Sequence, residues 1–265
     1  MNSLAQFKQM QKEGWARFGP LEIITTPAAA QLVRHAGVKT GMRVLDVGCG
    51  TGVVAITAAR LGALVTGADL TPELLRRAHD NARIAGVDVS WHEADVEELP
   101  FGDAQFDVVL SQFAHMFAPR PEVATSEMIR VLKPGGTIAF STWPPELLVG
   151  STMALSGRYL PPPPPGVAPP ILWGDPSIVR QRLGSAVKDI VFDRQCMLVA
   201  ALSPQHFRLT VENSAGPIIK MIEHLAATDP GRLETFRQEF DAIVAQYFRD
   251  NVVRQDYLLT RATKV

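Results

Sequence analysis

Val44-Leu45-Asp46-Val47-Gly48-Cys49-Gly50-Thr51-Gly52 is an apolar run that breaks into three glycines on alternate positions, then resumes as Val53-Val54-Ala55-Ile56. Glycine tolerates positive φ and leaves its backbone bare, so a ligand can lie directly against it. A buried strand feeding such a turn and then a helix builds a nucleotide-type pocket at the strand's carboxyl end. The dinucleotide fingerprint places its third glycine at position 53, where Val53 stands. Here the spacing is Gly-x-Gly-x-Gly with Asp46 just ahead of it, so the residues that follow decide the ligand.

Outward from this turn, short runs rich in β-branched or aromatic residues at 43–47, 64–69, 87–93, 106–111 and 136–142 alternate with helical patterns near 52–61, 72–85 and 122–132. Such alternation predicts βαβ units, a parallel sheet and helices on both faces. Helix starts carry a repeated device in Thr26-Pro27, Thr71-Pro72, Asp175-Pro176, Ser203-Pro204 and Asp229-Pro230. In each, an oxygen-bearing cap precedes a proline whose missing N–H costs nothing at the first helical position. Lys133-Pro134-Gly135-Gly136 reads as a turn into the fifth strand.

The second half is less regular. Residues 143–174, with the run Pro161–Pro165, read as an extended, stiff excursion. A short helix from Pro176 to Leu183, a strand over 190–200, helical segments near 204–225 and 230–250, and a last strand over 252–261 follow. The order fits a seven-stranded sheet whose last strand runs antiparallel at the edge, with a helical lid inserted before it. The expected organisation is one domain over 1–265: a helical segment at 1–40, a core at 41–142, and the excursion, lid and closing strands at 143–265.

With 265 residues, 46% of them hydrophobic, the chain can bury a full core. Lys+Arg is 26 against 27 for Asp+Glu, a formal net charge of −1. That balance argues against a nucleic-acid surface, which carries clustered basic charge. Cys49 and Cys196 form neither a disulfide framework nor a multi-cysteine metal site, so no metal is expected. The first residues lack a secretory signal's apolar stretch, and no run is apolar enough to span a bilayer. A cytoplasmic protein, monomer or homodimer, is the expectation.

Asp69 ends the second strand, about twenty residues past the glycine turn, where nucleotide-binding α/β folds place a carboxylate for ribose hydroxyls. Asp95, in Glu93-Ala94-Asp95-Val96-Glu97-Glu98, follows the third strand and so also reaches the carboxyl rim. There it could accept an adenine amino group while the Val96 N–H meets a ring nitrogen. Glu97 and Glu98 read as a solvated face. Ser111 and Gln112 lie at the exit of the apolar strand 106–111, and Asp107 at its other end reads as structural.

Together these landmarks resemble class I S-adenosylmethionine (SAM)-dependent methyltransferases, most closely the small-molecule branch with ubiquinone/menaquinone-type C-methyltransferases. The matching segments are VLDVGCGTG at 44–52, VTGADLTPELL at 65–75, EADVEELPF at 93–101, FDVVLSQFAHMF at 106–117 and VLKPGG at 131–136. The resemblance implies a Rossmann-like fold, SAM as cofactor, S-adenosylhomocysteine (SAH) as product, and a small apolar or aromatic acceptor. It implies that Asp46 faces the methionine ammonium while Gly48, Cys49, Gly50 and Gly52 line that moiety. Asp69 and Leu70 would then meet the ribose, Asp95 and Val96 the adenine, with Ser111 and Gln112 nearby. A SAM-binding protein without transferase activity is the alternative.

A general base is needed only if the acceptor carries a proton at neutral pH. His115 is the candidate, on the loop after the strand among Phe113, Met116 and Phe117. Phe113, Met116 and Trp15, from an amphipathic amino-terminal segment, are candidate acceptor contacts.

Overall fold

The computed structural model describes residues 3–214 and 216–265. Two helices, α1 (Ser3–Trp15) and α2 (Glu22–His35), precede β1 (Arg43–Val47). Then come α3 (Val53–Ala59), β2 (Leu64–Asp69), α4 (Pro72–Ala85), β3 (Val89–Glu93), β4 (Phe106–Gln112), α5 (Pro121–Val131) and β5 (Leu132–Thr142). The second half supplies α6 (Leu148–Gly157), α7 (Pro176–Leu183), β6 (Val187–Ala200), α8 (Pro204–Ser214), α9 (Gly216–Thr228), α10 (Pro230–Ala245), β7 (Phe248–Arg249) and β8 (Val252–Lys264).

The strand order is β3-β2-β1-β4-β5-β8-β6, with β7 paired to β8. β1 pairs in parallel with both β2 and β4, so the chain reverses its direction of travel across the sheet between them. Right-handed crossovers on either side of that reversal put their helices on opposite faces. A crevice therefore opens above the carboxyl ends of β1 and β4, where ligands of open α/β sheets bind.

β1 reads Val-Leu-Asp-Val past its first residue, and all four positions are buried, as a strand covered on both faces requires. One apolar cluster joins Leu32 and Val33 of α2, Val44 and Leu45, Val109 and Leu110, and Ile138 and Phe140. A second lies among α6, α8, α9 and α10, with Leu155, Phe207, Met221, Phe236, Phe240 and Val253. That second core holds the inserted helices over the β8 side of the sheet.

Several expectations are corrected. The last strand does not close the edge: β8 lies between β5 and β6, antiparallel to both, and the long β6 is the edge. An eighth short strand, β7, joins it. The stretch 143–174 is not one extended excursion, because α6 occupies ten of its residues. Thr26-Pro27 starts no helix; Pro27 lies inside α2, and Thr26 Oγ1 donates to Glu22 O instead. Thr71 makes no side-chain capping bond at α4, whereas Asp175 and Asp229 cap α7 and α10 as read. The Lys133–Gly136 turn is drawn into β5, whose pairing with β4 shifts register between Phe106 and Val108.

Candidate active site

The glycine turn sits at the crevice. Gly48, Gly50 and Gly52 all have positive φ (64°, 54° and 87°), a region that costs other residues a Cβ clash. A Cβ at Gly48 would lie 2.3 Å from Ala114 Cβ, so the segment after β4 rests directly on the turn. At Gly50 nothing would lie within 4 Å, which leaves open space beside bare backbone.

Asp69 is braced rather than free. Its Oδ2 accepts the Gly50 N–H and its Oδ1 the Thr71 N–H, both at 2.8 Å. Each oxygen keeps a lone pair for a further donor. Burial pushes its pKa up, against the pull of those two N–H groups. Asp46, 1% exposed, accepts the Ala55 N–H of α3 at 3.0 Å through Oδ2, while its Oδ1 has no partner. Burial raises its pKa to about 7. An unpaired, buried carboxylate oxygen is the partner a ligand's ammonium requires. Cys49 is buried and burial raises its thiol pKa, so it is a packed turn residue without thiolate character.

Asp95 stands at the end of β3, with Oδ1 accepting the Glu97 N–H at 2.9 Å and Oδ2 held by Lys8 Nζ at 2.5 Å. Glu97 is no solvated face: it is 5% exposed and joins Lys8 Nζ (2.5 Å), the Arg120 N–H (2.6 Å) and Arg120 Nε (2.8 Å). Glu98 is exposed, as read. Leu70 and Val96 are half-buried at the rim.

Other predicted residues are placed elsewhere. Ser111 is wholly buried: its hydroxyl donates to Val47 O at 2.8 Å and accepts the His115 N–H at 3.1 Å. It ties β1 to the turn after β4. His115 is 2% exposed, with its ring against Phe140 (4.5 Å between centroids) and Trp173 (4.6 Å). Burial and the nearby Arg182 charge lower its pKa to about 3. Packed among these rings, the imidazole is held neutral. Met116 is likewise in the core at 1% exposure.

Gln112 is at the rim, and its Nε2 donates to Thr25 O of α2 at 2.9 Å. Phe113 has φ +55° and stacks on Trp143 with centroids 3.8 Å apart and planes 9° from parallel; Tyr257 meets it edge-on. Trp15 packs edge-on against Phe117 at 4.8 Å. Lys8, Arg120, Ser141, Trp143 and Tyr257 escaped sequence reasoning. Of these, only Trp143, directly after the fifth strand, carried a positional signal.

The described residues therefore fit an adenosyl amino acid: an unpaired acid for its ammonium, bare glycine backbone, and a braced carboxylate at the ribose position. Comparison with known proteins agrees. Residues 45–140 match the model of the family described as "Methyltransferase domain". Two Mycobacterium tuberculosis proteins are similar over nearly the whole chain. Rv1403c is 37% identical, covering 92% of this chain and 89% of its own length. Rv1405c is 35% identical, covering 100% and 93%. Ubiquinone biosynthesis O-methyltransferase of Salmonella enteritidis is 34% identical over 53% of this chain and 60% of its own. The fold is shared with YcgJ of Bacillus subtilis (21% identity, TM-score 0.57, covering 89% and 98%). It is shared too with Haemonchus contortus phosphoethanolamine N-methyltransferase 2 in complex with SAM (21%, 0.56, 90% and 52%).

Proposed function

Because the chain belongs to the class I SAM-dependent methyltransferases, we propose that its acceptor is a small apolar or aromatic molecule. The enzyme uses SAM and releases SAH. Bound in the crevice, the sulfonium supplies an electrophilic methyl carbon and a neutral thioether leaving group. The chain's own part is to hold, orient and dry the reactants. We assign Asp46 Oδ1 to the ammonium, the glycine backbone to the methionine chain, Asp69 to the ribose and Asp95 with Val96 to the adenine. Positioning and exclusion of water supply most of the acceleration in such a displacement.

The observation that carries the acceptor class is the Phe113–Trp143 stack at the ends of β4 and β5, beside the turn that Ala114 covers. Trp15 packs on Phe117 of the same post-β4 segment, and no basic tract marks a macromolecular substrate. The similarity to the ubiquinone O-methyltransferase supports a ring-bearing acceptor. The test is a screen of phenols, quinone precursors and amines for SAM-dependent SAH release. Turnover confined to ring-bearing acceptors is expected; turnover only with nucleic acid or protein substrates overturns the assignment.

A further inference from the structure

Four buried side-chain oxygens without a hydrogen-bond partner stand on neighbouring strands among the described residues: Asp46 Oδ1, Gln112 Oε1, Ser141 Oγ and Thr260 Oγ1. Thr260 lies opposite Phe140 and so on the other side of the sheet, whereas the first three share one face. Asp46 lies opposite Leu110, Gln112 is two residues further along β4, and Gln112 lies opposite Ser141. Asp46 is taken by the cofactor in the reading above; the other two atoms are not.

Both have fixed surroundings. The Gln112 amide cannot turn around, because its Nε2 donates to Thr25 O and an oxygen there would face another oxygen. Its Oε1 is therefore the free end. Ser141 is 0% exposed, and the adjacent Thr142 hydroxyl is already committed to Trp173 O at 2.8 Å. A buried acceptor left unpaired costs about 1–3 kcal/mol. Here that cost recurs on two residues directly opposite each other, at the carboxyl ends of β4, which borders the crevice, and of its neighbour β5.

The apolar surroundings point the same way. The Phe113 N–H donates to Ser141 O at 3.0 Å, and left-handed backbone at Phe113 turns its ring onto Trp143. Left-handed backbone at a bulky residue is a strain that gathers at functional sites. The stacked Phe113–Trp143 pair, buried to all but 8% and 7%, and the two unpaired oxygens thus belong to residues at the same two strand ends.

We propose that Gln112 Oε1 and Ser141 Oγ are the polar anchor of the methyl acceptor and take a ring hydroxyl of a phenol whose apolar body lies against Phe113 and Trp143. This rests on the methyltransferase reading of the same crevice. A phenol satisfies both orphaned oxygens: its O–H donates to the Gln112 carbonyl, and its oxygen accepts from the Ser141 hydroxyl. An acceptor lacking an O–H leaves the Gln112 oxygen unpaired, which is how such a site discriminates.

The test loads the protein with SAH and measures, by calorimetry, binding of catechol, guaiacol (one hydroxyl methylated) and veratrole (both methylated). Catechol is expected to bind at least about tenfold more tightly than veratrole. Gln112→Met should bring catechol down to the veratrole level, and Ser141→Ala should weaken catechol severalfold while keeping its preference over veratrole, with SAH affinity unchanged in both. Equal binding of catechol and veratrole, no catechol binding to the SAH-loaded protein, or unchanged catechol affinity in both variants overturns the proposal. Loss of SAH affinity in Gln112→Met gives the amide to the cofactor and overturns it as well. Should the unaltered protein fail to bind SAH, the methyltransferase reading falls first and the proposal with it; thermal unfolding of both variants identifies a loss of fold.

Discussion

Lys8 Nζ on the first helix lies 2.5 Å from Asp95 Oδ2 at the end of β3, and at the same distance from Glu97 Oε2. The Lys8–Asp95 pair spans 87 residues of sequence and fastens α1 across the rim. Lys12 adds a contact to Glu93 at 2.5 Å, and Gln11 Nε2 donates to Phe117 O. From the other side, Lys220 reaches Glu13 and Arg17 reaches Glu223, both on α9. The two helices cross so closely that a Cβ at Gly216 would lie 2.2 Å from Gly14 O. The β3 end of the crevice is therefore roofed by a helix held through charge.

Replacing Lys8 by Met should loosen that roof without touching the sheet. The pair is partly buried, so about 1 kcal/mol is a fair scale, which corresponds to about a fivefold faster release of SAH. Stopped-flow dissociation checks this. The unaltered protein's release should quicken with added salt, and the variant's should respond less.

Asp69→Ala should weaken SAH by about 2 kcal/mol, because the ribose donors lose a charge-assisted partner. The Gly50 and Thr71 N–H groups also lose theirs, so the melting temperature should fall as well. Asp69→Asn separates the two effects: one amide oxygen still braces one N–H, so it should recover part of the stability and little of the affinity.

The sheet and the glycine turn were legible because both rest on local signals. Alternating apolar runs fix the parallel strands, and positive φ at 48, 50 and 52 demands glycine. Long-range pairing was not legible. Nothing in Glu97-Glu98 says which carboxylate turns inward; Glu97 does so because Lys8 and Arg120 converge on it from distant elements. Loop position after β4 suggests that His115 reaches the rim, whereas the turn packs its ring against Phe140 and Trp173. The place of β8 between β5 and β6 depends on long antiparallel pairing with both strands, which periodicity alone does not rank.

Asp46 should couple cofactor binding to pH. Its folded pKa is about 7 because burial disfavours the charge, so below that value the free enzyme holds it protonated. A bound ammonium favours the carboxylate, so binding there expels a proton. SAH affinity should rise by up to about tenfold per pH unit from pH 5 to 7, then level off. Calorimetry in buffers of different ionisation enthalpy measures the released proton. Methylthioadenosine, which lacks the ammonium, should show no such slope.

The pKa of His115 is shifted the other way, downwards. Its pKa falls from 6.5 to about 3 on folding, so acid favours the unfolded chain, which alone takes the proton readily. The stability it governs is complete above pH 6.5 and drains away as pH drops towards 3, at about 1.4 kcal/mol per unit. Denaturant melts of His115→Phe should therefore lose less between pH 6.5 and 5, by about 2 kcal/mol. SAH affinity and the pH profile of turnover should stay as they are, since the ring meets neither reactant.

Gly48→Ala tests the contact between the turn and the segment after β4. The new methyl would lie 2.3 Å from Ala114 Cβ, and φ of +64° adds backbone strain of about 1–2 kcal/mol. The melting temperature and SAH affinity should both fall. Ala114→Gly removes the steric clash but not the strain, so the double variant should regain part of the loss. Full recovery would mean that the turn tolerates a side chain at this φ; no recovery would mean that Ala114 is not what the glycine makes room for.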